Sequence, residues 1–307
     1  MKQIGLSLAL TVGLAACSGG NPFQEETGGD GPGGSAEIPA DLAQDLESFS
    51  YSPDDQTLTI RGVSLEDGAF EDVYRRRPGL DRGAYEAYTA QDGSLDRHST
   101  AYVRDIRGTR AAAVSTGGQF TFFFSGGAYG NAGDYSAPAA PETPQDGGLV
   151  TYAGNYVGML NRAGSGEDLL PVAPGTPGSF RPTQVVEVTG RVLINASFAD
   201  GTINGTITER EVVDYNLLAS RGDVEDLDLG PGVIAEDGTF TGITSVGTQP
   251  RGTYGGIFGG QGATEVAGIV TAEEHIDALQ REIEIGVFVL AQCGTPQADP
   301  VCDQPVP

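Results

Sequence analysis

The residues of this chain whose types and spacing promise chemistry are its three cysteines and one short run of arginines. Cys17 closes the run Leu14-Ala15-Ala16-Cys17, behind a basic residue, Lys2, and an apolar stretch from Ile4 to Val12. That order is the leader and cleavage box of an exported lipoprotein. The expectation is cleavage after Ala16 and acylation of the Cys17 thiol. Each buried CH₂ contributes about 0.8 kcal/mol, so several acyl chains anchor a protein in effect permanently. The apolar part of residues 1–16 is too short to cross a bilayer, which takes about 20 residues. Ser18 rather than Asp follows Cys17. By the sorting rule for bacterial lipoproteins, the outer membrane is then expected, with its face left open. Cys293 and Cys302 form an even pair around Gly294, Pro296 and Pro300. An oxidising compartment favours a disulfide between them, pinning a tail at 293–307.

Arg75-Arg76-Arg77 is the one basic run in an acidic chain. Two readings stand side by side. The arginines contact an anionic group on a partner, or they pair locally with Glu71, Asp72 and Asp81. The two histidines, His98 and His275, fall in different expected domains. There is no Gly-x-Ser-x-Gly, His-Glu-x-x-His or P-loop pattern. Glu225-Asp226-Leu227-Asp228 lacks the spacing of a calcium loop. Tyr129 and Tyr135 are expected to pack rather than to ligate haem iron. No catalytic residue, metal or cofactor is therefore expected, and the chain does not read as an enzyme.

The chain has 307 residues, with 47 Gly, no Trp and a formal charge of −25. Its only lysine is Lys2, so loss of the leader makes it more negative still. Such a surface repels phosphate backbones, which argues against nucleic acid. The partners left are the lipid bilayer, through acylated Cys17, and a protein.

Residues 17–37 are rich in Gly and acids and carry no apolar periodicity, which predicts a flexible tether. Residues 38–125 read as a small β-domain, with Gln56 to Arg61 alternating cleanly and Gln119 to Ser125 strongly apolar. Residues 126–148, with Pro138, Pro141 and Pro144, read as a linker. From 149 to 292 strand candidates with a period of two follow one another. Tyr152, Gly154, Tyr156 and Gly158 share one face of a first strand, and Gln184 to Phe198 forms a second. Asp200-Gly201 is a hairpin signal before a return arm, Thr202 to Glu209. Glu211 to Ser220 and Val233 to Ser245 are further candidates, and Glu282 to Leu290 is the last. Between them, Gly252 to Val270 forms a hairpin. Tyr254, Gly256 and Phe258 share a face, and Gly259, Gly260 and Gly262 supply the positive φ of its turn. The count is about eight. So many glycines within strands indicate the close backbone packing of a small closed barrel.

The run Phe258-Gly259-Gly260-Gln261-Gly262-Ala263-Thr264-Glu265-Val266-Ala267-Gly268 resembles the signature hairpin of the barrel domain in the transferrin-binding protein B-like lipoproteins. Gly260, Ala263, Glu265 and Gly268 match that signature; Gln261 stands where Pro is usual, and Ala267 where Gly is frequent. The resemblance implies an all-β chain, with a small β-rich handle domain followed by an eight-stranded antiparallel β-barrel. It also implies a surface lipoprotein that captures an iron or haem carrier or another protein. A structural or envelope-interaction lipoprotein without a small-molecule ligand is the other reading. A single handle-plus-barrel lobe differs from the two lobes of transferrin receptors of this type.

Overall fold

The computed structural model describes residues 37–63, 68–117, 123–139, 148–164, 166, 168–213, 224–277 and 279–303. Cys17, the leader and the tether up to residue 36 lie outside them, as do 119–122 of the apolar run 119–125 and 140–147 of the expected linker. After a one-turn helix, α1 (Ala40–Ala43), seven strands form an antiparallel sheet in chain order. They are β1 (Leu46–Ser52), β2 (Thr57–Val63), β3 (Ala69–Arg76), β4 (Glu86–Ala90), β5 (Ser99–Ile106), β6 (Thr109–Thr116) and β7 (Ser125–Asn131). The sheet curls until its ends meet, and the Asp45 N–H donates to the Ser125 carbonyl at 3.0 Å. β7 corrects the expected linker, which begins as a strand. Ser125 to Gly130 are all buried and, apart from Tyr129, all small, so the stretch lacks the large apolar period by which a strand is read.

Eight further strands close a barrel. They are β8 (Leu149–Ala163), β9 (Val185–Ser197), β10 (Thr202–Val213), β11 (Leu227–Ile234), β12 (Thr239–Val246), β13 (Gln249–Gly259), β14 (Glu265–Glu273) and β15 (Ile283–Ala291). β15 returns to β8 through Gly286↔Gly158 and Val287↔Val157. The chain is thus all-β, with a seven-stranded sheet followed by an eight-stranded antiparallel barrel.

Two strand expectations differ from the structure. The candidate Glu211 to Ser220 is not separate, because Glu211 to Val213 continue β10; 214–220 lie outside the described residues. A bulge between Thr208 and Glu211, with Glu209 at φ 49°, breaks the alternation. Ile203 and Ile207 point inward before it, and Arg210 and Val212 after it. A bulge moves the inward face by one residue, which made one strand read as two. Likewise Val233 to Ser245 splits at Asp237-Gly238, where Gly238 has φ 84° and Thr239 starts β12.

The lumen is filled. Tyr152, Phe198 and Phe240 surround Phe258, with ring centroids 5.6, 4.9 and 5.1 Å away. Offset and edge contacts at these distances are favourable aromatic geometry. The Tyr254 hydroxyl donates to the Gly230 carbonyl at 2.6 Å. Gly256 pairs with Gly268 across the hairpin, and neither has room for a side chain. In the turn, Gly260 and Gly262 have φ of 74° and 78°. Gly259 plays a different part from that expected: a Cβ there would strike Thr109 of the sheet, so it permits close packing between the domains.

The outer face of β13–β15 is buried as well. Ile257, Ala267, Ile269, Ile285, Val287 and Val289 join one apolar core with Ala111 to Val114 of β6 and Ala128 of β7. The alanine run lets the sheet approach the barrel wall closely. The alternating face Ile283 to Val289 therefore covers a neighbouring sheet, and its partners Phe288 and Leu290 fill the lumen.

Candidate functional site

Arginines from the sheet stitch the seam. Arg82 meets Glu187 at 2.6 Å, Arg104 donates to the Val289 carbonyl at 2.8 Å, and Arg107 pairs with Glu265. Glu187 and Glu265 are almost wholly buried. An unpaired carboxylate there would be costly, so each ion pair holds the register of the two domains. This gives the hairpin signature a physical cause. Glu265 anchors the sheet; a Cβ on Gly260 would collide with the Glu265 carboxylate, and Gly268 lies under Phe288. The buried backbone of Ala263 accepts the Tyr152 hydroxyl.

The three consecutive arginines do not act together. Successive side chains on a strand point to opposite faces. Arg76 turns inward and forks onto Asp81, with contacts of 2.5 and 2.6 Å, and lies 5.7 Å over the Tyr88 ring. Arg77 reaches the barrel loop between β8 and β9, meeting Asp168 at 2.8 Å. Arg75 is exposed, and among the described residues no carboxylate pairs with it. Glu71, one of the expected local partners, is taken by Arg61 at 2.6 Å.

Asp168 is the hinge-point of this corner. It accepts from Thr89 Oγ1 at 2.5 Å, and its Oδ2 lies 3.2 Å from His98 Nε2. Burial pushes its carboxyl up, but the hydrogen bonds from Thr89, His98 and Arg77 together hold it below the usual range. Burial lowers the His98 imidazole below its ordinary value despite Asp168, so the neutral ring donates to the carboxylate. Two residues on, the Leu170 N–H donates to the Gln91 side chain at 2.8 Å. The loop is thereby docked beside a groove of about 500 Å³ lined by Glu71, Asp72, Val73, Arg75, Arg77, Ala90, Gln91 and Asp92. Val73, Leu170 and Phe180 are exposed apolar residues on β3 and this loop. The corner offers a guanidinium, carboxylates and apolar surface at once, the chemistry of recognition.

A second polar cluster lies deep inside the barrel. Arg210 Nη2 meets Glu284 Oε2 at 2.6 Å, His275 Nε2 lies 3.0 Å from the same oxygen, and the Tyr156 hydroxyl donates to Glu284 Oε1 at 2.6 Å. Burial pushes the Glu284 carboxyl up, but Arg210, with His275 and Tyr156, pulls it down to about 2. All four side chains are buried, and the cluster closes one stretch of the lumen. Sequence reasoning placed His275 on a polar connection and did not find Arg210; the signal was a charged residue amid the alternation of β10, masked by the bulge. Among the described residues no three His, Cys, Asp or Glu side chains converge as metal ligands. Cys293 and Cys302 are joined as a disulfide with Cα atoms 5.5 Å apart.

No family model matches the chain, and no curated protein matches it. Solved structures do. The isotype 1 transferrin binding protein B from serogroup B Neisseria meningitidis is similar at 13% identity and TM-score 0.37, over 81% of this chain and 52% of that one. The N-lobe domain of lactoferrin binding protein B of Moraxella bovis is similar at 15% and 0.32, over 68% of this chain and 80% of that one. A transferrin binding protein B variant from Haemophilus parasuis Hp5 gives 13% and 0.36. This chain spans about half the length of the transferrin binding protein structures it matches. In fold, the chain is similar to these transferrin and lactoferrin binding protein B structures.

Proposed function

We propose that this chain is a lipid-anchored outer-membrane protein that captures another protein at the corner where sheet and barrel meet. The observation that carries this reading is the groove beside Asp168, where exposed Arg75 pairs with no carboxylate among the described residues and Val73 offers apolar surface, with Leu170 and Phe180 exposed on the adjoining loop of an otherwise acidic chain. Recognition is directed outward because aromatic side chains fill the lumen. Long loops held on a rigid scaffold are where binding residues concentrate, and the β8–β9 loop is held by Arg77, Thr89 and His98. Cys17 supplies the anchor and residues 18–37 the reach. An iron-carrying or haem-carrying protein is the form of partner that the hairpin resemblance implies.

The test joins accessibility to retention. Intact cells are treated with a membrane-impermeant label, and purified chain is immobilised and washed with serum. Wild type is expected to be labelled and to retain a defined protein that Asp168→Asn with Phe180→Ala releases. A chain shielded in intact cells, or a variant retaining the same protein equally well, overturns the reading and leaves the structural envelope role.

A further inference from the structure

The groove beside Arg75 is an opening in the sheet. β3 pairs with β2 from Thr57↔Arg75 to Val63↔Ala69. With β4 it pairs only at Arg75↔Thr89 and Arg76↔Tyr88. Beyond that point Ala90, Gln91 and Asp92 line the far side of the groove. The main-chain directions are fixed by two bonds. Arg76 N–H donates to Gln56 on the β2 side, and Arg77 N–H donates to Ala87 on the β4 side. Directions alternate along a strand, so Glu71 and Val73 present their N–H and C=O groups to the groove. The Val73 N–H turns to the carboxylate of its own neighbour, Asp72, at 2.7 Å. Such an edge is a template for another strand.

We propose that the open edge of β3 at Glu71–Val73 takes up an extended segment of a partner protein as an added strand, with a lysine or arginine of that segment placed between Asp72 and Asp92. This deepens the binding reading above and rests on it. Main-chain hydrogen bonds supply the affinity of such pairing and side-chain pockets the selectivity. Arg61 already engages Glu71, and Asp168 engages Arg77. Among the described residues Asp72 accepts only from the Val73 amide, while burial and the nearby Asp92 raise its carboxyl above the ordinary value. A cation between the two carboxylates reverses that penalty. The same charges select against a second copy, whose pairing would bring Asp72 and Asp92 against their counterparts. The tether, residues 17–37, holds Glu25, Glu26, Asp30 and Glu37 and no basic residue, so it does not supply the cation. Val73, 45% exposed, gives the added strand an apolar neighbour.

The probe is the fluorescent heptapeptide Thr-Val-Lys-Val-Lys-Val-Thr, compared with its glutamate counterpart and an N-methylated version, against the full mature chain. The lysine peptide is expected to bind saturably and to slow hydrogen exchange at the Val73 amide. Binding falls at least tenfold in the Asp72→Asn, Asp92→Asn double variant and with the glutamate peptide, and is lost on N-methylation. Val73→Pro removes a donor that faces the groove and spares the β2 ladder, so it keeps the melting temperature and loses the peptide. Absence of saturable binding at millimolar peptide, or equal binding of the N-methylated form, overturns the proposal. Sedimentation showing a dimer in which the Val73 amide is protected assigns the edge to a second copy and also overturns it. If edge variants keep the serum partner that Asp168→Asn with Phe180→Ala releases, the added strand is refuted and the capture reading stands.

Discussion

Replacing Gly256 by Val tests the filled barrel most directly. A Cβ at this position would lie 2.5 Å from Phe240 Cζ and 2.9 Å from the Gly268 Cα, and closer still to the Ala267 carbonyl oxygen. Phe240 is itself held between Tyr254 and Phe258, and the Ala267 carbonyl belongs to the β13–β14 ladder, so neither neighbour can withdraw freely. Overpacking of this kind costs about 1–3 kcal/mol. At roughly 2–4 °C per kcal/mol for a domain of this size, the melting temperature should fall by about 2–12 °C. Gly268→Val should act alike, since its Cβ would meet Phe288 and lie 2.7 Å from the Gly255 carbonyl. The two sites are paired, so the double variant should lose less than the sum. Gly178, with open space around it, is the control: Gly178→Val should melt with wild type. Thr253→Val is not a neutral control, because the Thr253 hydroxyl donates to Asp41 at 2.5 Å; about 0.5–1.5 kcal/mol is expected there. The readout is thermal unfolding followed by circular dichroism at fixed pH. Equal melting of Gly256→Val and Gly178→Val would show that the Tyr254–Phe258 face does not line a packed lumen.

The other predictions follow from charge, the disulfide and the anchor. Glu284→Gln leaves Arg210 buried without its counterion and should cost about 3–5 kcal/mol in urea unfolding at pH 7. Because the folded Glu284 carboxyl is held at about 2 rather than 4.5, its stabilisation is complete above pH 4.5 and lost as the pH falls toward 2; the variant's stability should be flatter over that window. Cys293→Ser with Cys302→Ser should cost roughly 2–3 kcal/mol by the loop-entropy relation, and non-reducing peptide mapping should recover the two cysteines joined. Cys17→Ser should abolish incorporation of labelled palmitate and leave an uncleaved precursor; unchanged labelling removes the anchor.

The sequence alone carried the all-β class, the count of eight barrel strands though not the bounds of β10 to β12, and the lumen-facing rings, because a strand repeats every two residues and Tyr152, Tyr156, Tyr254 and Phe258 obey that period. It also marked the Asp-Gly and Gly-rich turns, where positive φ restricts the residue choice. The hairpin signature was legible as a pattern, although its cause was not: Glu265 meets Arg107, which is 158 positions away. Period-based reading failed where a bulge changed the face, as at Arg210, and where small residues replaced large ones, as in β7. The arginine run was read as a unit because its members are adjacent in sequence. Only the tertiary structure decided that Arg75, Arg76 and Arg77 go to solvent, to Asp81 and to Asp168. The same holds for the seam and the open edge of β3. They depend on which strands diverge and which distant carboxylates arrive, and local spacing has no term for either.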